Sequence, residues 1–291
     1  MQAKNYFTDS ESKYCVYKNA KAVIIPVPYE KTTTYIKGTK NAPRAIIDAS
    51  KKLELYDEEL DAVTANIGIA TLNPLKACQI AQVMLNEVKA RCLSVLNDGK
   101  FPVLIGGEHS VSLGFLLALK EKYPDVSVLH LDAHADMRDE YKGSRHNHGC
   151  IMARIREHSS AVSVGIRSLS VEEAKIIKKN NYKIFWAKDK TDIGIWAKDI
   201  LAALGKNVYI TLDADVLDPS VLPSVGTPEP DGLSWNEVLK IVKAVFKKKN
   251  VVGFDVMELC PSPFNKGSDF ITAKLIYKML GYKFFITSGG I

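Results

Sequence analysis

Residues 126–136, VSVLHLDAHAD, join a short apolar run to three polar side chains at alternate positions. The run 126–131 has the length and the Val and Leu content that are typical of a buried strand. If the chain stays extended beyond it, a period of two places Asp132, His134 and Asp136 on one side of the backbone. This stretch therefore predicts a strand whose end presents three convergent, metal-type ligands.

Apolar runs of the same kind recur along the chain and alternate with segments of helical periodicity. The further predicted strands are residues 22–28, 102–105, 161–166, 183–186, 208–212 and 251–256. The predicted buried faces are Ile80, Val83, Met84, Val88 and Val95 in helix 78–97, and Val238, Ile241, Val242 and Val245 in helix 234–247. Because parallel strands need crossover connections, this alternation predicts an α/β fold in three layers, with a predominantly parallel central sheet flanked by helices.

The chain gives no sign of a division into domains. Its 291 residues contain no Pro/Gly/Ser-rich linker, low-complexity tract or fixed-period repeat. The segment 29–75 is poorly periodic, and we expect it to wrap the core. We therefore predict one domain over residues 1–291.

Composition and charge favour a globular protein without nucleic-acid or membrane partners. With 46% hydrophobic and 25% charged residues, the chain is ordinary for a soluble globular protein. The formal net charge of +6 comes from scattered Lys, so we expect no nucleic-acid partner, and the densest run, Lys247–Lys249, closes a predicted helix. The start, Met1–Tyr6, lacks the apolar core of a signal peptide, and no apolar run is long enough to span a bilayer. These features favour a cytoplasmic protein without a membrane partner.

Two other predicted strands also end in groups that bind metals. Asp213-Ala-Asp215 follows the run 208–212, and Gly106-Gly-Glu-His-Ser110 follows the run 102–105. In open α/β sheets, ligands bind beyond the carboxyl ends of the strands, where these groups would meet. The six candidate metal ligands are His109, Asp132, His134, Asp136, Asp213 and Asp215.

A metal site explains this concentration of carboxylates, because buried carboxylates stay ionised together only if cations compensate. Six ligands that include bridging carboxylates suit two divalent ions about 3.5–4 Å apart. Oxygen-rich ligation with two imidazoles favours Mn²⁺ over structural zinc. Simpler interpretations apply to three neighbours: Asp218 as a turn residue, His130 as a hydrogen-bonded core histidine and His158 as a surface residue.

These motifs resemble those of the ureohydrolase family, the arginases and agmatinases, and they occur in the family's order and spacing. The family blocks are Gly-Gly-(Asp/Glu)-His-Ser, Asp-Ala-His-x-Asp, Asp-x-Asp-x-Leu-Asp-Pro and Gly-Thr-Pro-Glu, matched here by residues 106–110, 132–136, 213–219 and 226–229. Further likeness at 32–46 and 255–258 extends the resemblance to nearly the whole chain, and it implies an arginase-like fold. Glu108 stands where many members carry Asp, so the carboxylate is kept.

The resemblance implies two Mn²⁺ ions per subunit. One ion would be held by His109, Asp132, Asp136 and Asp213, and the other by His134, Asp132, Asp213 and Asp215, with Asp132 and Asp213 bridging. A hydroxide that bridges the ions would attack the guanidinium carbon, and the tetrahedral intermediate would collapse to urea and an amine. The charges agree, since four carboxylates and one hydroxide against two divalent cations leave about one negative charge for a cationic guanidinium.

The resemblance also implies roles beyond the metal cluster. Glu258 matches the acid that pairs with the guanidinium, and Thr227 belongs to a block that we expect to contact the substrate. His148 matches the histidine that shuttles protons, with His146 as a competitor for that role. The metal ligand Asp136 counts among the catalytic residues as well.

The five cysteines suggest no chemistry of their own. They are odd in number and contain no Cys-x-x-Cys pair, which argues against a disulfide framework or a thiolate zinc site. Cys150 and Cys260 lie near the candidate catalytic residues in sequence, but no matching base accompanies them. We therefore predict that both are small packed thiols.

The stretch that precedes the shuttle histidine bears on which guanidine is hydrolysed. Arginases carry a Thr- and Ser-rich loop there, whereas residues 137–147, MRDEYKGSRHN, are similar to agmatinases. The side chains that would attract a distal ammonium are Asp139 and Glu140, and those that would attract a carboxylate are Arg138, Lys142 and Arg145. The likeness favours agmatine, which would give putrescine for polyamine biosynthesis, then N1-aminopropylagmatine, and then a guanidino acid such as 4-guanidinobutyrate or arginine.

Two other classes of protein deserve comparison. Asp-x-His also opens the dinuclear metallophosphoesterase pattern, but the Gly-Asp and Gly-Asn-His-Asp/Glu blocks of that pattern are missing. A non-catalytic scaffold for polyamine sensing would have lost a ligand or the shuttle, and neither loss is seen. Because family members associate into trimers or hexamers, the resemblance also implies a homo-oligomer.

Overall fold

The computed structural model describes residues 6–8, 12–190 and 192–286. The start of the chain, residues 1–5, where we expect no targeting segment, lies outside the described residues. Within the described part, every helix is too short or too polar to cross a membrane.

Eight strands form one sheet in which all neighbouring pairs are parallel. The strands of the structure are β1 Ala22–Val27, β2 Tyr56–Asp57, β3 Ala62–Val63, β4 Ile69–Thr71, β5 Phe101–Gly106, β6 Ser127–Leu131, β7 Ala161–Ile166, β8 Lys183–Trp186, β9 Asn207–Asp213 and β10 Asn250–Met257. Across the sheet their order is β4-β1-β5-β10-β9-β6-β7-β8, and β2 and β3 form a separate antiparallel hairpin.

Helices cover both faces of the sheet. Within the described part they are α1 Ser12–Cys15, α2 Ala42–Ser50, α3 Ala81–Asn97, α4 Ser112–Lys122, α5 Ile151–Arg156, α6 Val171–Asn180, α7 Ile193–Ala203, α8 Trp235–Lys248 and α9 Gly267–Gly281. One apolar cluster packs β-strand side chains against α2, α7, α8 and α9, and a second packs the alternate side chains against α3, α4, α5 and α6. Within β9, for example, Ile210 belongs to the first cluster and Tyr209 to the second. The predicted three-layer α/β fold is therefore confirmed.

The seven apolar runs identified in the sequence are all strands, but the segment 29–75 is more regular than expected. It contains α2, β4 and the β2–β3 hairpin. The helix buries Ala42, Pro43, Ile46, Ile47 and Ser50, a helical spacing that the sequence carried. The strands are only two or three residues long, too short for a recognisable alternation.

The prediction is accurate for α8 and less accurate for the start of α3. α8 buries Val238, Ile241, Val242 and Val245 as predicted, and Lys247 and Lys248 occupy its exposed last turn. α3 begins only at Ala81, so Ile80 is its N-cap and is 61% exposed, and Val83 is 41% exposed. The buried side chains of α3 are Met84, Leu85, Val88, Cys92, Val95 and Leu96. The prediction for Ile80 and Val83 was wrong, because these residues precede or begin the helix and its core face starts one turn later.

The strand order explains where a site can form. β5, β10, β9 and β6 are consecutive in the middle of the sheet, although they are distant in sequence. Since the strands are parallel, their carboxyl ends lie at the same edge. The segments that follow them therefore meet there: 107–110, 258–260, 214–215 and 132–136.

Candidate metal centre and active site

Asp132 lies at the centre of the cluster, directly after β6, and is fully buried. Its Oδ2 is 3.3 Å from His109 Nδ1, and its Oδ1 is 3.7 Å from His134 Nδ1. Each carboxylate oxygen thus faces a different histidine. This arrangement fits the predicted bridging position between two cations.

A first group of ligands surrounds the buried ring of His109. Its Nδ1 lies 3.1 Å from Asp213 Oδ2 and 3.9 Å from Asp136 Oδ2, in addition to the contact with Asp132. On the other side of the ring, Nε2 is 2.9 Å from Thr211 Oγ1, which donates to Asp255 Oδ1 at 2.7 Å. Because the Thr211 hydroxyl donates to Asp255, it accepts from His109 Nε2–H, and Nδ1 keeps its lone pair for a cation.

A second group forms around His134. Its Nδ1 is 2.8 Å from Asp215 Oδ2, and one ligand atom from each of Asp132, His134 and Asp215 lies within 4.8 Å of the others. Backbone amides fix the carboxylates, since the Ala133 N–H donates to Asp215 Oδ1 and the Asp215 N–H donates to Asp213 Oδ1, both at 3.0 Å. The six predicted ligands therefore come together at one edge of the sheet, in two groups that share Asp132.

His130 also lies within 4.8 Å of His109 and Asp132, but its position differs from that of the ligands. Its Nε2 is 2.8 Å from Asp132 Oδ2, and its Nδ1 is 3.1 Å from Ser163 Oγ. Both ring nitrogens already have partners, and burial lowers the pKa of this fully buried ring. The prediction of a hydrogen-bonded core histidine is confirmed, and its contact with Asp132 supports that carboxylate from within the sheet.

Two of the site residues adopt a left-handed backbone. Asp136 has φ 51° and Glu258 has φ 60°, conformations that cost side-chain-bearing residues free energy and that cluster at functional sites. His134 pairs with Ser168 in a parallel bridge, but the backbone already bends at Ala133. The assumption of an extended chain through Asp136 was wrong. The turn nevertheless leaves Asp136 in the cavity wall.

The electrostatics of the cluster favour bound cations. Burial and the charge of Asp132 raise the pKa of Asp136 well above its ordinary value, and burial and Asp215 do the same for Asp213. Burial disfavours charged imidazoles, yet hydrogen bonds to Asp132 and Asp213 raise the pKa of His109. The pKa of Asp132, in contrast, is lowered by the neighbouring histidines despite burial. Divalent ions fit this donor set because they replace bound protons and neutralise the carboxylates.

A cavity of about 170 Å³ opens onto the cluster. Glu258, in its wall, accepts a hydrogen bond from the backbone N–H of His109 at 2.7 Å through Oε1. Burial and the nearby charge of Glu108 raise the pKa of Glu258 well above its ordinary value. Thr227 also lines the cavity.

The two candidate shuttle histidines lie in different surroundings. His148 lines the cavity, and its Nδ1 is 3.1 Å from Thr32 Oγ1. Burial lowers the pKa of His148, which favours a neutral ring at neutral pH. His146 does not belong to the cavity wall, and within the described part of the chain its buried Nδ1 has no hydrogen-bond partner. The geometry therefore favours His148 over His146.

The structure does not bring the expected tail-binding acids to the cavity. Asp139 and Glu140 are exposed on the outside of the loop, and Asp139 accepts hydrogen bonds from Arg145 and Arg154. Those two guanidinium groups already satisfy its charge. Arg138, in contrast, lines the cavity, where it stacks 4.7 Å from the Tyr141 ring centroid.

Sequence reasoning assigned no role to residues 33–36, which form much of the cavity rim. Tyr35 is 74% exposed there, and Ile36 is 44% exposed. The run of three threonines outside any predicted element was the available signal. Cys150 and Cys260 are buried, and burial raises the pKa of each thiol to about 11, in agreement with packed, unreactive side chains.

Comparison with known proteins gives a consistent result. The arginase family model matches residues 20–281. The chain is 38% identical to the N(1)-aminopropylagmatine ureohydrolase of Synechocystis sp., over 97% of both chains, and 32% identical to the agmatinase of Pyrococcus horikoshii, over 91% of this chain and 92% of that one. The crystal structure of the agmatine ureohydrolase of Thermoplasma volcanium matches with a TM-score of 0.88 at 30% identity, covering 97% of this chain and 94% of that one.

The fold and the carboxylate–imidazole cluster first define a class: a three-layer α/β protein with a candidate metal site at the carboxyl edge of a parallel sheet. The match over nearly the whole chain then defines the family. The chain belongs to the arginase family, and it is an enzyme of the ureohydrolase type.

Proposed function

We propose that this enzyme hydrolyses the guanidino group of a polyamine-type substrate to urea and an amine, with two divalent cations, preferably Mn²⁺. The observation that carries the proposal is the position of Asp132, with one carboxylate oxygen toward each of His109 and His134. The proposed ligands of the first ion are His109, Asp132, Asp136 and Asp213, and those of the second are His134, Asp132, Asp213 and Asp215. When bound, the cations would act as Lewis acids and lower the pKa of water, so that it attacks at neutral pH.

Residues of the chain itself would orient the substrate and move its protons. The Oε2 of Glu258 would pair with the guanidinium, and the anchored Oε1 fixes its direction. His148 would take up the proton that the attacking water loses and pass it to the departing amine nitrogen, a relay that favours a group titrating near neutrality. The cavity wall would exclude bulk water from the reacting carbon.

The substrate tail that we favour is an unbranched cation. Arg138 is the basic side chain of the cavity wall that could attract a substrate carboxylate, but the buried Glu173 pairs with it at 3.6 Å. Three relatives named for N1-aminopropylagmatine are 37–38% identical to this chain and a fourth is 32% identical, against 32% for relatives named agmatinase. Asp139 and Glu140, the acids expected to favour the shorter tail, are not in the cavity wall. We therefore put N1-aminopropylagmatine first, and agmatine second because of the structural match to an agmatine ureohydrolase.

A substrate panel tests the proposal. With Mn²⁺ added, urea is measured from N1-aminopropylagmatine, agmatine, 4-guanidinobutyrate and arginine. We expect the highest kcat/KM for N1-aminopropylagmatine, no urea from a His134→Ala variant, and normal rates from the exposed control Asp139→Asn. A preference for agmatine would reverse the order of the two amines, and a preference for either acid would overturn the proposed tail specificity. No urea from any guanidine would favour a sensing scaffold, and phosphate release from an aryl phosphate would favour a phosphatase.

A further inference from the structure

Glu108 is a fully buried carboxylate that is not among the proposed metal ligands. Its Oε2 accepts from the backbone N–H groups of Lys31 at 2.7 Å and Thr32 at 2.5 Å. Its Oε1 accepts from the hydroxyls of Thr32 at 2.7 Å and Ser110 at 2.6 Å. Glu108 is the acceptor in all four of these hydrogen bonds.

The Thr32 hydroxyl connects this carboxylate to the cavity. Its Oγ1 accepts from the His148 N–H at 3.0 Å and is 3.1 Å from His148 Nδ1. A hydroxyl has one proton to donate, and here it is donated to Glu108 Oε1. The lone pairs of Oγ1 therefore face His148, so that Nδ1 must be the donor in the remaining contact.

This direction fixes the protonation pattern of the ring. A neutral His148 carries its proton on Nδ1, and Nε2 has the lone pair. Since Nδ1 is occupied by Thr32, Nε2 is the nitrogen that can exchange a proton with a substrate in the cavity that His148 lines. Two hydrogen bonds from one residue to a single oxygen also restrict the rotation of the ring.

We propose that Glu108 and Thr32 are positioning residues that orient His148 and hold its neutral ring in the Nδ1–H form. The proposal deepens the proposed function and rests on it, since it concerns the group that would accept a proton at Nε2 and relay it to the leaving amine. Glu108 also holds the start of the rim, because Lys31 and Thr32 directly precede residues 33–36. One carboxylate thus couples the cavity rim to the orientation of His148.

Paired substitutions of Thr32 give the first test. Thr32→Val keeps the shape and removes the hydroxyl, whereas Thr32→Ser keeps the hydroxyl. General acid–base groups contribute about 10²–10⁴-fold, so loss of their orientation should lower kcat by roughly 10-fold or more in Thr32→Val. KM and bound Mn²⁺ should be unchanged, and Thr32→Ser should retain most of the activity. Equal losses in both variants would overturn the proposal.

A double-mutant cycle separates positioning from general structural damage. In a His148→Asn background, Thr32→Val should change kcat by less than about 2-fold, because the group through which Thr32 acts is already gone. The same loss as in the parent background would mean that Thr32 acts independently of His148. That result would overturn the proposal even if every variant folds.

A spectroscopic measurement makes the proposal independent of activity. The full chain, labelled with ¹³C and ¹⁵N histidine and loaded with diamagnetic Mg²⁺, contains six histidines, and the His148 signal is the one lost in His148→Asn. Its ring carbon and nitrogen shifts should report the Nδ1–H form in the parent and in Thr32→Ser, and a shift toward the Nε2–H form in Thr32→Val. An Nε2–H ring in the parent would overturn the proposal, whereas absence of urea production with an Nδ1–H ring would overturn only the proposed reaction.

Discussion

At the scale of single residues, the site depends on side chains whose individual polar atoms contact different partners. Asp132 faces His109 with one oxygen and His134 with the other, and His130 supports it from within the sheet. His109 is held by Thr211 at Nε2, so that its Nδ1 faces the carboxylates. Each ligand is thus oriented by a contact on the side away from the cluster, as metal ligands in proteins usually are.

Replacing Asp132 by Asn should weaken both proposed ion sites at once. The amide keeps the shape of the side chain but loses the negative charge shared by the two groups of ligands. Removal of contacts that merely support ligands costs 10–100-fold in metal affinity, so we expect a loss of at least about 100-fold here. Metal analysis after dialysis against limiting Mn²⁺ measures the effect, with Asp139→Asn as the exposed control. Two ions retained by Asp132→Asn would contradict the prediction.

Metal affinity should rise with pH. The pKa values of Asp136 and Asp213 are raised by burial and by neighbouring carboxylates, and those of His109 and His134 are raised by aspartates despite burial. Cations bind the deprotonated forms, so they must displace protons that these groups hold above the ordinary titration range of Asp. Calorimetric titration with Mn²⁺ in buffers of different ionisation enthalpy should detect proton release that increases as the pH falls. Affinity and proton release that do not change with pH would contradict this expectation.

At the scale of elements, local signals decide where helices begin. Ser234 and Glu237 form a reciprocal capping box at the start of α8: the Glu237 N–H donates to Ser234 Oγ at 3.3 Å, and the Ser234 N–H donates to Glu237 Oε2 at 2.8 Å. α3 has no side-chain cap, and its N-terminal boundary was predicted three residues too early. Strong caps therefore make a boundary readable from the sequence.

Removing the α8 cap should destabilise the protein measurably. Ser234→Ala leaves the Glu237 N–H without its side-chain acceptor, at a cost of about 1 kcal/mol. For a chain of this size we expect the midpoint of thermal unfolding to fall by roughly 2–4 °C. The control is Ser94→Ala at an exposed position inside α3, where alanine is a better helix former. The prediction fails if both variants unfold at the same temperature as the parent.

At the scale of the whole molecule, a buried ion cluster attaches the β2–β3 hairpin to α9. The ammonium of Lys278, 4% exposed, lies 2.8 Å from Asp57 Oδ1 and 3.1 Å from Glu59 Oε2. Glu59 also accepts from the Tyr282 hydroxyl at 2.7 Å. Because these residues are more than 200 positions apart in sequence, this cluster links two distant segments of the chain.

Breaking this cluster should cost more than losing a cap. Lys278→Met leaves the fully buried Asp57 without its cation, and removal of one member of a buried pair typically costs about 3–5 kcal/mol. Adding Asp57→Asn should recover part of the loss, because the uncompensated charge is removed. Chemical denaturation measures both variants, and bound Mn²⁺ should be unchanged since neither residue lines the cavity. A single substitution that costs less than the Ser234→Ala change would show that the cluster contributes little.

The prediction of a single domain over residues 1–291 stays a prediction at this scale, as does assembly into a trimer or hexamer. Exposed apolar side chains such as Phe264, 98% exposed, are consistent with further contacts but do not define a partner. Determination of the molecular mass in solution tests the predicted assembly.

The sequence by itself determined the seven longer strands, the layered fold and the six candidate metal ligands. These features depend on residue type and on local spacing, and a parallel sheet brings the ends of its strands together without further information. Helix α2 carried a readable spacing as well, whereas β4 and the hairpin are too short to carry one.

Only the tertiary structure decided which partners the polar side chains take. The sequence suggested that Asp139 binds the substrate tail. In the structure, Asp139 is exposed and accepts hydrogen bonds from Arg145 and Arg154. Thr32 lies 76 residues from Glu108 and 116 from His148, yet one hydroxyl contacts both. Hydrogen bonds and ion pairs form between whichever groups the packed elements bring within about 3 Å, and local sequence patterns carry no record of those distances.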